Sequence, residues 1–585
     1  MLMLVFGDRE RTVEPRAELA RLQVACERLE RLEPGNRSHA ALVAIFIDVA
    51  ELSQGLVDAE FARAGTDRLT LRGCSGAEVL RALAGAVIRS GDSRVTPMDA
   101  ARSAMRQLAA MPLPGAVACR RQEGFAFYAV YPEAYVAAAR RLGECPGAVI
   151  GIRSIGIGLA AIVSAATAAP FMVSVRPIGP PFARRLALAP ELQRRLAACT
   201  GQPVAVVDEG PGLSGSSFLA VGRALRSLGC PARRVHFFPS HGGLPGAAAS
   251  DADRAAWQHA PRHVASFEDV VLPHLASWVA DLTGPAVEPL EDMSAGEWRR
   301  HHPLGARLPA QPMWERRKYL LRSERGRFLL RFAGLGRYGE AVHRRARVLA
   351  EAGLSPPVLG LRYGFLVEEW IEDARMAGAG QERAGFLAHV AAYLAFRAQR
   401  LPATPDRGAS LDELARMLVH NASEALEQPL PEAPWLSWAR MLEPRVRRIE
   451  TDGRLHRWEW LCTRDGRVLK CDGYDHCDGH DIVGCQDVAW DVTGAVHELD
   501  LTRSELLVVL ERLGAHGVSV DLDLLRFLWP CYLAFQLGCI GRSDPGSRNG
   551  KWSDNALAQE HGRYTAQLKK IICAPCGRYS SEPTL

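Results

Sequence analysis

The sequence predicts a multidomain α/β protein: a helical N-terminal region (residues 1–113), a doubly wound parallel-sheet domain (114–285), a linker (286–310) and a C-terminal α+β domain (311–585). Three observations lead there. At 585 residues the chain outgrows a single hydrophobic core, which stops growing near roughly 250–300 residues. From 114 to 285 short apolar runs alternate with Gly-rich turns and helical stretches, the rhythm of strands joined by crossover helices. After 311 a strand–turn–strand pair gives way to mainly helical sequence.

Taken in order, "AELARLQVACERLERLEP" carries apolar residues at helical spacing, and "LVAIFIDVAELSQGLVDAEFARAG" continues the pattern until Gly65 stops it. Asp48 and Glu51, three apart, share one face of that second helix; with no His beside them they read as a solvated stripe rather than metal ligands. "GAVIGI", "FMVSVRP", "PVAVVDE" and "RRVHFFP" read as strands, and "IGLAAIVSAAT", "LAPELQRRLAAC" and "SSFLAVGRALRSLG" as the helices between them. "PAVEPLEDMSAGEWRRHHPLG" has the composition of a linker. Beyond it, "RKYLLRSERGRFLLRFAGLG" reads as a hairpin turning at "ERGR", "GEAVHRRARVLAEAG" as a helix and "GFLVEEWIED" as a strand. The remainder is helical apart from the polar stretch 451–491, and no internal repeat is visible.

Composition narrows the function classes. The net charge of +5 is mild for this length, and basic residues occur in short groups (Arg184-Arg185, Arg194-Arg195, Arg233-Arg234, Arg316-Arg317-Lys318) without interleaved aromatics, which argues against a nucleic-acid partner. Fourteen Cys in so long a chain are no disulfide framework. The start "MLMLVFGDRERTVEPR" lacks the order of a signal peptide, and the apolar "GAVIGIRSIGIGLAAIVSAATAAPFMV" is broken by Arg153 and glycines, so no membrane partner is expected. A reducing, cytoplasmic setting is the expectation; the oligomeric state is left open.

The stretch "VAVVDEGPGLSGSSF" (Val204 to Phe218) carries the sharpest signal. A strand ending in two acids, followed by a small-residue loop that opens a helix, offers backbone N–H groups and a helix N-terminus to one phosphate and carboxylates to neighbouring sugar hydroxyls. It resembles the phosphoribosyl-pyrophosphate (PRPP) loop of type I phosphoribosyltransferases, over roughly residues 145–240. The resemblance implies that Asp208 and Glu209 hold the ribose hydroxyls and that Ser214, Gly215, Ser216 and Ser217 cradle the 5-phosphate. The loop is one residue longer than the common form if Asp208 is the first acid; otherwise Glu209 and Gly210 take the two acidic places. One crossover earlier, "VIGIRSIGIGLAA" places Arg153 and Ser154 where the family holds pyrophosphate, and Arg176, Arg184 and Arg185 fall where it often carries a mobile basic loop. Mg²⁺, held by Asp208 and Glu209 largely through the ligand, would bridge pyrophosphate and ribose, and Arg153 would join the acids in stabilising the leaving charge. His241 in "FFPSHGGLPG" suits either contact with the acceptor or a plain loop position.

In the last third, "GRLHRWEWL" resembles "GDLHPGNIL", the catalytic loop of aminoglycoside-type small-molecule kinases, with Gly453, Leu455, His456 and Leu461 in register. "RVLKCDGYD" puts Asp472 at the metal-binding Asp, and "GCQDVAWDVTGA" sets Asp487 and Asp491 at a helix start. "RFLLRFAGLG" matches the phosphate-facing strand, with Arg331 in place of Lys, and "GFLVEEW" the strand bordering a nucleotide base. Arg454 stands where the family has its catalytic Asp, and Glu459 where it has Asn; a cation cannot take a proton from an attacking hydroxyl. The resemblance therefore implies a kinase-like fold with altered phosphoryl transfer and a site for ATP or another nucleotide. Cys471, His476, Cys477, His480 and Cys485 suit zinc by ligand type while the interleaved Asp residues suit a harder metal, and "CAPC" at 573–576 is a single C-x-x-C. The expected function is transfer of ribose 5-phosphate from PRPP to a small-molecule acceptor with release of pyrophosphate. The alternatives are a non-catalytic nucleotide- or PRPP-binding regulator, and an unusual small-molecule kinase acting through the C-terminal domain.

Overall fold

The computed structural model describes residues 10–93, 98–302, 304–378, 382–478, 483–541 and 554–572. Strand β1 (Glu10–Val13) pairs antiparallel with β2 (Val117–Arg120); between them run α1 (Pro15–Leu29), α2 (Asn36–Ala64), α3 (Leu71–Ser93) and α4 (Asp99–Ala110). The Glu14 carboxylate caps α1 by accepting from the N–H groups of Arg16 and Ala17, and Gly65 ends α2 in the left-handed conformation at φ 68°. From Ile45 to Leu56, α2 is buried without a break. Asp48 and Glu51 are therefore not the solvated stripe their spacing suggests: Glu51 is fully enclosed, accepting from Arg11 and Arg337, and Asp48 pairs with Arg21. Two of those cations come from β1 and from a helix near residue 340, contacts that helical periodicity does not reveal.

Short helices α5 (Glu123–Ala126) and α6 (Pro132–Arg140) lead into a four-stranded parallel sheet of β3 (Ala148–Ile152), β4 (Met172–Val175), β5 (Val204–Val207) and β6 (Val235–Phe238), in the order β4-β3-β5-β6. The crossovers are α7 (Gly156–Thr167), α8 (Pro190–Ala197) and α9 (Ser216–Ser227). Period-two alternation divides the strands between two packed layers. Val149, Ala205 and Val207 join α7 and the N-terminal helices in one cluster; Ile150, Val206 and Phe237 join α8, α9 and Trp257 of α10 (Asp251–His259) in another. Helices thus cover both faces, as the alternating apolar runs predict. Strand order reverses between β3 and β5, so their carboxyl ends lie side by side while the loops diverge, the place where such sheets open a crevice.

After α11 (Phe267–Val270) and α12 (Leu272–Thr283) comes a five-stranded antiparallel sheet, β10-β11-β9-β8-β7 in spatial order: β7 (Glu291–Asp292), β8 (Lys318–Ser323), β9 (Gly326–Phe332), β10 (Val358–Arg362) and β11 (Phe365–Glu369). The β8–β9 hairpin turns where "ERGR" predicts, and α13 (Arg337–Glu351) follows it. β7 lies inside the expected linker, pairing Glu291 with Leu320 and Asp292 with Tyr319. A small sheet of β12 (Arg375–Met376), β13 (Trp460–Cys462) and β14 (Val468–Lys470) lies beside a helical lobe of α14 (Arg383–Arg400), α15 (Leu411–Ala425), α16 (Glu432–Leu442), α17 (Val488–Glu498), α18 (Arg503–Ala515), α19 (Leu522–Gly541) and α20 (Asp554–Ile572).

One hydrophobic core runs from Leu19 and Phe46 through Ala160 and Val207 to Phe332 and Phe365. The N-terminal helices, the parallel sheet and one face of the antiparallel sheet therefore share an interior, and neither residue 113 nor the stretch 286–310 separates independent cores. The antiparallel sheet presents Tyr319, Phe332 and Phe365, and these bury against Tyr131 and Phe267, with ring centroids 6.1–6.2 Å apart. Asn36–Ala64 and Leu522–Gly541 are long and apolar enough to cross a membrane, and 78% of each apolar stretch is buried inside the fold.

Candidate functional site

Between the antiparallel sheet and the helical lobe lies a cavity of about 290 Å³. Leu329, Ile371, Met376 and Leu461 are among its apolar lining residues, and Lys318, Arg331, Asp472 and Asp475 among its charged ones. Local structure places each group. Lys318 and Arg331 are register partners on β8 and β9 and emerge from the same face of the sheet. Arg331 is almost wholly buried, ion-paired with Asp472 and 3.7 Å from Glu368 of β11; Lys318 stands 3.7 Å from Asp472 on the other side. Burial lowers the Lys318 ammonium, whereas for Arg331 the pull of Tyr474 and Glu368 overcomes burial and raises it. Asp472 follows β14 at φ 58°, a left-handed position that Asp tolerates better than most residues.

The loop opposite is held from below. Asp487 caps α17 by accepting from Ala489 N–H at 2.9 Å, which puts Asp491 in the helix's first turn. The two Asp491 carboxylate oxygens accept from the N–H groups of Asp452 and Gly453, each at 2.9 Å. Burial lifts this carboxyl to about 6. The loop so fixed presents Arg454 and Glu459 to the cavity, and buried Lys470 donates to Glu459 at 2.6 Å and lies 3.5 Å from Asp452. Asp452 itself is enclosed; burial opposes its charge, but Lys470 and His476 win and hold it well below the usual carboxylate range. Arg331, Arg454, Glu459 and Asp472, read from three separated segments, thus surround one cavity. Lys318, Glu368 and Asp475 join them without having been singled out; the Arg316-Arg317-Lys318 run, set against Arg331 by the hairpin register, was the available signal.

Asp472, Asp475 and His476 bring ligand atoms within 4.8 Å of one another, and Asp475 Oδ1 is buried without a hydrogen-bond donor. Two carboxylates and an imidazole fit a divalent cation, although Arg316, Arg331 and Lys318 already pair with the carboxylates. The cysteine-based zinc reading is not supported: among the described residues no Cys joins a metal-ligand cluster, and burial pushes the Cys471 thiol to about 12. His480 and the "CAPC" stretch lie outside the described residues.

A second cavity, about 810 Å³, opens at the carboxyl edge of the parallel sheet. The register that pairs Gly151 with Val207 brings Ser154, after β3, to the same cavity as Asp208 and Glu209, after β5. A Cβ on Gly156 would stand 2.6 Å from Val207 O and 3.3 Å from Asp208 Oδ1, so the two loops approach as closely as they do because glycine lies between them. Burial lifts the Asp208 carboxyl to about 7; burial, then the neighbouring Glu123 and Asp208, raises that of Glu209 further. Gly210, Gly212 and His241 also line the cavity, and burial lowers the His241 imidazole.

The remaining residues expected at this site are placed differently. Gly215, at φ 68°, precedes α9, and Ser216 and Ser217 open that helix; the hydroxyls of Ser214 and Ser216 donate to the Pro181 carbonyl at 3.5 and 2.8 Å, so a loop after β4 covers the expected cradle. Arg153 does not face the cavity. Its enclosed guanidinium donates to Asp58 at 2.9 Å, to Asp67, and to the Ser174 carbonyl at 2.9 Å. Arg176 pairs with Asp58 and donates to the Arg153 carbonyl at 3.0 Å; Arg184 donates to the Gly179 carbonyl at 2.5 Å. Asp58 and Asp67, which consume the two arginines, come from the N-terminal helical region and carry no signal in the loop sequences themselves.

No protein-family model matches the sequence, and no curated protein matches it. Among solved structures, the choline kinase LicA from Streptococcus pneumoniae is similar at 16% identity and a TM-score of 0.31, covering 51% of this chain and 98% of its own. A spectinomycin phosphotransferase solved with ADP and spectinomycin is similar at 10% identity and a TM-score of 0.33, covering 52% and 97%. A choline/ethanolamine kinase family protein from Mesorhizobium loti is similar at 16% identity and a TM-score of 0.29, covering 50% and 90%. At similarity this low, the chemistry of the cleft rests on its own residues.

Proposed function

We propose that the C-terminal cleft is a nucleotide-binding, small-molecule-kinase-like site in which phosphoryl transfer is impaired. One observation carries the reading: Lys318 and Arg331 meet Asp472 in a cavity that also has an apolar stretch of wall, beneath a loop pinned by Asp491. A base stacked among Leu329, Ile371, Met376 and Leu461 directs its phosphates to the two cations, and Asp472 with Asp475 supplies oxygen ligands for Mg²⁺. When bound, such an ion would supply positive charge to offset the negative charge of the phosphates. Arg454, permanently charged, takes the place from which a carboxylate would accept the acceptor's proton, and Glu459 is tied to Lys470, so binding outlasts catalysis. Calorimetric titration of the full chain with ATP, with and without Mg²⁺, tests this. Saturable binding is expected, at least tenfold weaker in Lys318→Met and insensitive to Mg²⁺ in Asp472→Asn, with ATP hydrolysis near background that rises in Arg454→Asp. Millimolar ATP leaving no heat, or binding indifferent to both substitutions, refutes it.

A second reading is favoured by the parallel sheet: Ser154, Asp208 and Glu209 converge on one cavity at the switch between β3 and β5. Such a pocket suits ribose 5-phosphate of PRPP, with the acids on the ribose hydroxyls, His241 toward a small-molecule acceptor, and the N-terminus of α9 on the 5-phosphate once the Pro181 carbonyl has moved off Ser214 and Ser216. Transfer would join the acceptor to C1 of the ribose as pyrophosphate leaves. This reading requires Mg²⁺-dependent PRPP binding that Asp208→Asn with Glu209→Gln removes.

A further inference from the structure

The loop between α16 and β13 places an imidazole at the C-terminal cleft with one nitrogen bound and the other open. His456 lines the cleft with 15% of its side chain exposed, and its ring stacks on Trp458 of the same loop, with centroids 4.5 Å apart and planes 12° apart. Its Nδ1 lies 3.1 Å from Oε2 of Glu498 on α17. On the nucleotide reading of the cleft, which this inference requires, we infer that His456, oriented by Glu498, is the base that takes the proton from a hydroxyl or water attacking the terminal phosphate of ATP. Arg454, at the usual place of that base, cannot do so.

The partners of Glu498 fix the tautomer. This carboxylate is 5% exposed; its Oε1 accepts from the hydroxyls of Tyr532 and Tyr564, each at 2.8 Å, and its Oε2 from Arg563 Nη2 at 3.1 Å. Surrounded by donors it stays ionised and can only accept, so Nδ1 of His456 carries the hydrogen it donates. Nε2 makes no hydrogen bond among the described residues and keeps its lone pair at the cleft. Acids nearby are engaged: Glu459 accepts from Lys470, Asp472 pairs with Arg331 and Lys318, and Glu560 pairs with Arg563. Asp491 and Glu498 stand about two turns apart on one face of α17, so the helix that pins the loop's backbone at Asp452 and Gly453 also sets the direction of its imidazole.

In the step, the attacking oxygen bonds to the γ-phosphorus as the bond from that phosphorus to the bridging oxygen breaks. ADP leaves with that electron pair, and the attacker's proton passes to Nε2; Glu498 stabilises the imidazolium until solvent takes the proton. With Arg454 and Glu459 altered, this route sustains slow turnover rather than none.

Single-turnover hydrolysis of γ-labelled ATP, with Mg²⁺ and the full chain in excess, tests this with water as the attacker. His456→Asn keeps an N–H for Glu498 but offers no basic nitrogen, and His456→Ala leaves room for free imidazole. Hydrolysis should fall roughly tenfold or more in both variants, while calorimetry gives an ATP affinity within about twofold of wild type; millimolar imidazole should restore His456→Ala. Wild-type hydrolysis no faster than the enzyme-free reaction, an unchanged rate in either variant, or a loss in His456→Ala that imidazole leaves unrepaired overturns the inference and leaves ATP binding standing. ATP that gives no heat with the wild-type chain refutes the nucleotide reading and this inference together.

Discussion

Replacing Asp491 by Ala removes both acceptors from the N–H groups of Asp452 and Gly453, deep beneath the loop that faces the C-terminal cavity. A buried donor left unsatisfied costs about 1–3 kcal/mol, so the variant should lose about 2–6 kcal/mol from the C-terminal lobe. Asp491→Asn preserves the shape and one acceptor and should lose about half as much. Urea denaturation followed by tryptophan fluorescence reads this directly, since Trp460 and Trp490 are both buried in that lobe. A signature in pH accompanies the loss. Burial raises the Asp491 carboxyl from 3.8 to about 6, so the folded protein holds its proton more tightly than the unfolded chain. That contribution is complete below pH 4 and fades as pH rises toward 6; Asp491→Asn should lack this decline. ATP binding should weaken in parallel, because the loop that carries Arg454 and Glu459 loses its anchor. Unchanged denaturation midpoints and an unchanged ATP affinity in Asp491→Ala would falsify the assignment of this residue as the loop's support.

Two further outcomes separate structural from ligand-facing roles around the parallel sheet. Arg153→Met should destabilise the fold by about 3–5 kcal/mol, because buried Asp67 loses its guanidinium partner and Asp58 is left with Arg176 alone; a variant of wild-type stability that selectively loses binding of a pyrophosphate ligand would return Arg153 to the cavity. The Asp208 carboxyl, lifted to about 7 by burial, is mostly protonated at pH 6, so Mg²⁺-dependent ligand binding that needs its charge should strengthen about tenfold between pH 6 and pH 8; Asp208→Asn should flatten that profile, and a flat wild-type profile would count against Asp208 as a charged ligand contact.

Much of the architecture was legible because it is written at short range. "GAVIGI" and "PVAVV" are apolar and β-branched on both faces, as strands covered by helices on both sides must be, and both form adjacent strands of the sheet. "ERGR" between alternating apolar residues marked the β8–β9 hairpin. Arg331, Arg454, Glu459 and Asp472, found one by one along about 140 residues, do surround one cavity. The same local reading failed where the partner lay far away. Arg153 and Arg176 sit in loops that suit an anion, yet Asp58 and Asp67 take them; Asp48 and Glu51 have the spacing of a wet helix face, yet arginines from β1, α1 and α13 bury them. Pro181 has no recognisable role until its carbonyl is seen against Ser214 and Ser216.

The sequence by itself determined which segments are strands and helices, where the small-residue loops open, and which residue types stand at the cleft, because periodicity, β-branching and turn chemistry act over a few residues. Tertiary structure alone decided where each charge finds its counter-charge. Ion pairs bind residues tens to hundreds apart, and whether a guanidinium faces a ligand or a buried carboxylate depends on which distant helix closes over it. The same closure merged the N-terminal helices and both sheets into one core.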